Sequence, residues 1–260
     1  ANPDDSGSRS YSETTPVAGL VFRATKLFSL YGNLGRGFET PTFAELAYRN
    51  TGTGLNFDLE PSRSKHAELG AKAILPGLAR VNAAVFDIDV SDEIVVDVAM
   101  SGRTTFRNAG HTARRGLELF AETLLAGPWS AQAAYTRLDA TFEDGMNAGN
   151  LLPGVPRTQV YTALAYRRDA GYAQLEVTHR SRVAVNDAND EFAESYTVAS
   201  VVAGLVQRGR NWRITEFVRV DNLADETYAG SVIVNESNGR FYEPAPGRNY
   251  LVGVQLALSY

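Results

Sequence analysis

Cysteine is absent from the 260-residue sequence, so neither a disulfide framework nor a thiolate metal site can stabilise this chain. Long hydrophobic runs are absent too: no segment approaches the about 20 apolar residues of a membrane-spanning helix, and the mean hydropathy is −0.21. A bundle of membrane helices is thereby excluded, but a membrane β-barrel is not, because its lipid-facing residues alternate with polar ones. The net charge is −5, so nucleic acid is not expected as a partner.

Motifs for zinc binding, nucleophilic catalysis or phosphate binding are also missing. The three histidines, at positions 66, 111 and 179, are far apart and lack the short spacing of a zinc site. No Gly-x-Ser-x-Gly nucleophile elbow occurs. Gly32, Gly35 and Gly37 resemble a phosphate loop in spacing only, because no helix follows a buried strand there.

An acidic run offers the hard oxygen ligands that Ca²⁺ prefers. Its members alternate with Ile88, Val90 and Val95, which is typical of a strand with one solvated face. The acidic residues are Asp87, Asp89, Asp92, Glu93 and Asp97. We predict no catalytic residue, no metal site and no cofactor, and hence a protein that is not an enzyme.

The clearest pattern lies in residues 250–260. Every second residue is apolar, with a tyrosine at each end: Tyr250, Val252, Val254, Leu256, Leu258 and Tyr260. The intervening residues are mostly small or polar, which predicts a strand with two different faces. Tilted near 45°, this strand would rise about 23 Å, close to the about 25 Å apolar band of an outer-membrane barrel with aromatic rings at both borders. A strand of a water-soluble sandwich shows the same alternation.

Similar alternation recurs along the chain and predicts an all-β fold of about eleven strands. In residues 65–75, for example, Ala67, Leu69 and Ala71 alternate with Glu68 and Lys72. Short turns are predicted at residues 24–25, 76–77, 125–128, 168–171 and 208–211. The other connections are predicted at 35–60, 101–103, 143–156, 186–194 and 223–246. All of these except the tight one at 101–103 are long, so short and long connections alternate, as in outer-membrane barrels.

Five stretches and the C-terminal strand resemble TonB-dependent outer-membrane receptors, in that family's order and spacing. They are YGNLGRGFETPTFAEL (31–46), DLEPSRSKHAELG (58–70), FRNAGHTARRGLE (106–118), LPGVPRT (152–158), VDNLADETY (220–228) and PGRNYLVGV (246–254). The resemblance covers residues 16–260 and implies part of a transmembrane antiparallel β-barrel of about 22 strands. Residues 17–260 would be its C-terminal half and residues 1–16 an extracellular loop remnant, whereas the plug domain and the first strands would lie outside this chain.

The resemblance also implies energy-dependent uptake across the outer membrane of a Gram-negative bacterium. The partners would be the TonB complex, the remainder of the receptor, outer-membrane lipid, and a scarce, bulky nutrient such as a ferric siderophore or another iron complex. The loop NESNGRFYEPAPGR (235–248) resembles a branch of the family that also includes a receptor for pyrroloquinoline quinone, which is therefore the alternative ligand. Tyr260 would be the terminal aromatic residue that the barrel-assembly machinery reads.

Guanidinium and aromatic side chains in the long connections are candidates for ligand contacts, because they bind anionic aromatic groups through charge-assisted hydrogen bonds and stacking. The candidate ligand-binding residues are Arg36, Tyr48, Tyr228, Asn235, Arg240, Phe241 and Tyr242. Two other functional classes stay open. A barrel enzyme would need a nucleophile and a base side by side, and a structural or adhesive β domain would need no convergent Arg and aromatic side chains.

Overall fold

The computed structural model of the chain describes residues 6–258 except residues 50, 51, 53 and 126. In chain order its strands are β1 (Val17–Arg23), β2 (Phe28–Glu39), β3 (Ser62–Leu75), β4 (Ala79–Ser91), β5 (Ile94–Met100), β6 (Arg103–Asn108), β7 (His111–Leu124), β8 (Trp129–Phe142), β9 (Thr158–Arg168), β10 (Gly171–Arg180), β11 (Val183–Ala184), β12 (Phe192–Ala193), β13 (Tyr196–Arg208), β14 (Trp212–Asp221), β15 (Ala229–Val232), β16 (Tyr242–Pro244) and β17 (Asn249–Leu258). A single four-residue helix, α1 (Phe43–Leu46), is found among the described residues, and none of their helices is long and apolar enough to cross a membrane.

Eleven strands form one antiparallel sheet in the order β1-β2-β3-β4-β7-β8-β9-β10-β13-β14-β17. Each strand therefore pairs with its predecessor along the chain, and the hairpins β5–β6, β11–β12 and β15–β16 are inserted between neighbours. The predicted all-β class is confirmed. The predicted number of about eleven strands agrees with the eleven strands of this sheet.

Short and long connections alternate along the sheet. The short ones span residues 24–27, 76–78, 125–128, 169–170 and 209–211, and the long ones span 40–61, 92–110, 143–157, 181–195 and 222–248. Because the sheet is antiparallel, all short connections join the strands at one end of the sheet, here called the turn end. All long connections join them at the opposite end, here called the loop end. The predicted alternation thus holds, and it has no exception.

Two predicted connections need correction. The tight connection at 101–103 is the tip of the β5–β6 hairpin, where Ser101 and Gly102 adopt positive φ angles of 51° and 76°. The connection predicted to begin at residue 35 begins at residue 40, because β2 continues to Glu39, which pairs with Ser62 of β3. Glycine is a poor strand former, and the three glycines in β2 obscured the strand. Arg36 therefore lies on a strand and not in a loop.

The ladder register divides the sheet into two faces, because directly paired residues project to the same side. One face, here called the apolar face, carries Leu69 with Val85 and Leu117, Leu164 with Leu175 and Val201, and Val218 with Val252. The other, here called the polar face, carries Glu176 with Ser200 and Thr215 with Gln255. Val252 and Val254 are 72% and 71% exposed, so the apolar face is uncovered in this chain.

The register also divides the aromatic residues that could form girdles. Trp129, Tyr166 and Trp212 lie on the apolar face at the turn end, and the rings of Trp129 and Tyr166 meet edge to face at 5.0 Å. Tyr161 and Tyr172 lie on the polar face. Tyr260, the predicted assembly signal, lies outside the described residues, and its role stays a prediction.

Aromatic rings cover glycines on the polar face. In four cases the ring belongs to the residue directly opposite the glycine on the next strand: Tyr31 over Gly70, Phe86 over Gly116, Tyr172 over Gly204 and Phe217 over Gly253. A Cβ atom on any of these glycines would collide with the ring. The register thus depends on the absence of a side chain at four places, because overpacking destabilises a close contact.

The buried hydrophobic residues gather at the loop end. Phe142 packs with Ala109, Ala140 and Leu152, and each is at most 7% exposed. The sheet has no second layer among the described residues, so packing comes from the long connections folding against one another. That packing positions the candidate site.

Candidate ligand-binding surface at the loop end

Asn235 ties three of the long connections together. Its side-chain oxygen accepts a hydrogen bond from the Asp187 backbone N–H at 3.0 Å, and its amide nitrogen donates to the Val96 carbonyl at 2.8 Å. Its backbone N–H donates to the Val185 carbonyl at 3.0 Å, and the Ala99 N–H donates to its carbonyl at 3.1 Å. Asn235 is a predicted ligand-binding residue; its side-chain amide holds loops together, and its contact with a ligand stays a prediction.

Asp187 extends this brace to a fourth connection. Its carboxylate accepts from Arg107 of β6 at 2.9 Å, and its carbonyl accepts from the Asn150 amide at 2.8 Å. Asn189 fixes the same connection, because its side-chain oxygen accepts from the Leu151 N–H at 2.6 Å. We call Asn235, Asp187, Arg107, Asn150 and Asn189 the loop brace. Sequence reasoning did not identify this brace as a unit.

Arg240, Phe241 and Tyr242 lie together on the braced loops. The Tyr242 hydroxyl lies 3.2 Å from both a carboxylate oxygen of Glu191 and the carbonyl of Phe192, so it anchors the last long connection to the preceding one. Partial burial, with the Glu191 charge as a second cause, raises the pKa of Tyr242. The Phe241 and Tyr242 rings meet edge to face at 6.2 Å.

The Arg240 side chain forms no hydrogen bond, ion pair or ring contact within the described part of the chain. The residue is exposed, and the aromatic residues Phe241 and Tyr242 follow it directly in the chain. An exposed cation and two rings on one short segment suit an anionic or aromatic ligand.

The Glu236 carboxylate holds the turn that presents Arg240. It accepts from the Arg240 N–H at 2.8 Å and from the Asn238 N–H at 2.7 Å. These bonds, with the one from Arg240 as the largest cause, lower the pKa of Glu236. Since its pKa is depressed in the folded state, the bonds stabilise the turn above the unfolded pKa and are lost as pH falls through the folded value.

We expect acidification to loosen this turn. A nitroxide attached through Ser237→Cys in the complete receptor should gain mobility as the pH falls through the lowered pKa of Glu236 and the carboxylate becomes protonated. In a Glu236→Gln background the label should be mobile throughout, with little pH dependence. A label that stays immobile at low pH in both proteins would show that the carboxylate does not hold the turn.

The other candidates occupy different places at the loop end. The Arg103 guanidinium, at the tip of the β5–β6 hairpin, lies 5.3 Å from the centre of the Tyr48 ring. Arg49, which follows Tyr48 in the chain, forms an ion pair with Asp58. The Tyr228 ring stacks on Tyr196 at 4.2 Å, and burial with the neighbouring Tyr196 raises the pKa of Tyr228.

Arg36 lies on the apolar face, opposite Lys65 of β3. Among the described residues, no hydrogen bond, ion pair or ring contact joins Arg36 or Tyr48 to Arg240 or Tyr242. The structure therefore brings together Asn235, Arg240, Phe241 and Tyr242 and does not bring Arg36 into their cluster. In the same described region, no group of three His, Asp or Glu side chains could hold a metal ion.

The chain spans less than half the length of each of three solved structures that share its fold. The ferric citrate transporter FecA in its unliganded form matches with a TM-score of 0.75 and 18% identity, over 94% of this chain and 38% of that chain. The ferric-catecholate import receptor Fiu from E. coli K12 matches with a TM-score of 0.69 and 23% identity, over 92% and 34%. The copper transporter OprC matches with a TM-score of 0.73 and 18% identity, over 94% and 39%. These similarities define the fold as part of a large outer-membrane-type β-barrel.

Sequence comparison gives the family. The family model "TonB dependent receptor-like, beta-barrel" matches residues 1–223, and the chain belongs to this family, which consists of transport receptors and not of enzymes. The ferrioxamine B receptor of Salmonella typhimurium is 27% identical over 185 residues. That match takes in 66% of this chain and 26% of that receptor, so the chain spans only a part of such a protein.

Proposed function

We propose that this chain forms the C-terminal half of the barrel of an outer-membrane receptor for a ferric siderophore or another iron complex, in a Gram-negative bacterium. The observation that carries the proposal is the membership of the receptor family together with the exposed Arg240 guanidinium and the Phe241 and Tyr242 rings on braced loops. The ferrioxamine B receptor and the ferric-catecholate receptor, which share sequence or fold with this chain, take iron complexes according to their names.

The remainder of the receptor is the first partner. Strands β1 and β17 end the sheet, and each leaves one edge unpaired among the described strands. In hydrocarbon each exposed N–H or C=O group would cost several kcal/mol, so other strands must pair with these edges in a membrane. Strands from the rest of the polypeptide would close the barrel, a plug would fill its lumen, and the TonB complex would supply energy through the plug.

Residues 6–16, the described part of the predicted N-terminal loop, fit a position outside the membrane. Arg9 donates to the Leu59 carbonyl at 3.2 Å, and Glu13 forms a 2.9 Å ion pair with Arg63, so residues 6–16 lie against the loop end. The bond from Arg63 lowers the pKa of Glu13. These contacts support an extracellular position for the segment, because the long loops of such barrels face outward.

Uptake by cells tests the ligand class. The complete receptor should be expressed in a strain that lacks its own siderophore receptors and supplied with radiolabelled hydroxamate, catecholate and citrate complexes of iron. We expect one of them to be accumulated, and only when TonB is present. Accumulation of pyrroloquinoline quinone or a copper complex, with no iron complex taken up, would contradict the proposal.

The position of the sheet in the membrane can be tested separately. Because the chain has no cysteine, single nitroxides at Val254→Cys and Gln255→Cys can be compared after reconstitution of the complete receptor in lipid. Val254 lies on the apolar face and Gln255 on the polar face, so we expect the first label to be quenched by oxygen and the second by a polar reagent. Equal accessibility at both positions would contradict a lipid-facing apolar side, since a register shift of one residue exchanges the faces.

A further inference from the structure

Glu216 places a carboxylate in the middle of the apolar face. The residues of β14 that project to this face are Trp212, Ile214, Glu216, Val218 and Val220. Glu216 is therefore the central one, midway between the aromatic border at Trp212 and the opposite end of the strand. With about 3.3 Å per residue and the tilt near 45° of such barrels, it lies about 9 Å inside the level of Trp212.

Aliphatic side chains surround this carboxylate. Leu205 of β13 and Val254 of β17 lie directly opposite Glu216 and are 61% and 71% exposed. Among the described residues of β13, β14 and β17, no other charged side chain projects to the apolar face. Facing hydrocarbon is costly for a carboxylate, and ionisable side chains inside a membrane ordinarily have a partner.

Gln207 of β13 is the polar neighbour of Glu216 on this face. Its amide nitrogen lies 3.4 Å from Oε1 of Glu216, which is longer than the about 2.7–3.2 Å of an ordinary N–H···O hydrogen bond. Within the described part of the chain, Oε2 of Glu216 accepts no hydrogen bond. One distant donor thus leaves most of the capacity of this carboxylate to accept hydrogen bonds unused.

Further strands of the receptor would not cover this patch. Strands β13 and β14 are interior strands, paired on both sides, so additional strands can join the sheet only at β1 and β17. The outward face of an interior strand of a barrel meets either lipid or another protein.

We propose that Leu205, Gln207, Ile214, Glu216 and Val254 form an interface with a second copy of the receptor in the membrane. The inference rests on the proposed membrane location of the sheet. The polar ends of Gln207 and Glu216 meet at one depth, and the pair holds both a donor and an acceptor. A two-fold axis along the membrane normal brings the same patch of the second copy against it at that depth, so Gln207 of each copy donates to Glu216 of the other.

This self-complementarity favours a second copy over an unrelated membrane protein, because no group from outside the chain is needed to satisfy the carboxylate. The exposed aliphatic side chains around the pair, such as Leu205 and Val254, then pack against their equivalents and keep the reciprocal hydrogen bonds away from water and lipid. The same residues that are costly in lipid thus become the contact that orients the two copies.

Energy transfer between copies in lipid vesicles tests the proposal. Complete receptors labelled with a donor or an acceptor dye at Met146→Cys, an exposed position in the 143–157 connection, should show transfer that falls as lipid dilutes the receptor. Glu216→Leu should weaken this self-association about tenfold or more, because both reciprocal hydrogen bonds are lost. Folding should not suffer, since leucine suits a lipid-facing position, and migration of the folded species in unheated gels checks this.

Exchanging the two side chains tests the donor–acceptor pairing itself. Gln207→Glu alone brings carboxylates together and should also abolish transfer, whereas Gln207→Glu/Glu216→Gln again holds one donor and one acceptor and should restore it. Gln174→Leu is the matched control, because it removes the amide of another Gln–Glu pair, on the polar face, and should leave transfer unchanged.

Absence of transfer in the unaltered receptor, or equal transfer in Glu216→Leu, would overturn the proposal. A monomeric receptor whose Glu216 contacts a different membrane protein would overturn it as well. Oxygen quenching of the label at Val254→Cys checks the membrane premise separately, so a monomeric receptor with a lipid-facing Val254 would leave the proposed function intact.

Discussion

Arginine in place of Leu175 is expected to destabilise the barrel by about 2–4 kcal/mol and to lower the amount that assembles. Leu175 lies midway along β10 on the apolar face, between Leu164 of β9 and Val201 of β13. A charge at the middle of a lipid-facing surface loses its hydration and gains no partner there. The measurement is the fraction of complete receptor that migrates as a folded species in unheated gels, followed by equilibrium unfolding in lipid.

Gln174→Arg is the control for this prediction. Gln174 is the preceding residue and lies on the polar face, where its side chain donates to Glu176 at 2.7 Å. An arginine at this position faces a carboxylate in a polar lumen, and we expect a change of less than about 1 kcal/mol. Equal destabilisation by the two substitutions would mean that the two faces of the sheet do not differ in environment.

Replacing Arg240 and Tyr242 together with alanine is expected to weaken binding and uptake of the iron complex about tenfold or more. Each contact is expected to contribute roughly 1 kcal/mol, through a cation beside aromatic surface and through the ring itself. The Arg240 side chain forms no hydrogen bond or ion pair in the described part of the chain, so its removal should disturb little within the protein. The measurements are the dissociation constant of the purified receptor and the initial uptake rate in cells.

Single variants separate contact from loop anchoring. Tyr242→Phe keeps the ring but removes the hydroxyl that reaches Glu191 and the Phe192 carbonyl. If the ring contacts the ligand, this variant should lose much less affinity than the double variant. Arg210→Ala, in the short turn between β13 and β14, removes a cation at the opposite end and should leave uptake unchanged. Unchanged binding by the double variant would remove both residues from the site.

The sheet could be predicted from the sequence because its signals are local. Alternation at Val252, Val254 and Leu256 determines which side chains share a face, and turn residues such as Pro76 and Gly77 mark strand ends. The prediction failed in β2, where glycines at 32, 35 and 37 weaken the strand signal although pairing with β3 continues to Glu39. It failed again at residues 101–103. The sequence indicated a tight connection there, but not that β5 and β6 form a separate hairpin inside a longer connection.

The site was less predictable, because its contacts join distant parts of the chain. The Asn235 amide reaches Val96, which is 139 positions away, and Arg107 reaches Asp187, which is 80 positions away. The run of Asn and Asp at residues 186–190 was a usable signal, since these residues favour turns with side-chain to backbone hydrogen bonds. No pattern in the sequence indicated that β2 would continue past Arg36 and place this residue on the apolar face, opposite Lys65.

The rings that lie over glycines have a consequence for passage through the barrel. Tyr31, Phe86, Tyr172 and Phe217 are large, yet each lies over the place where the glycine opposite it lacks a side chain. In a closed barrel whose lumen is lined by the polar face, such rings would lie along the wall. The clearance available to a cargo would then be decided mainly by the loops and by the segment that occupies the lumen.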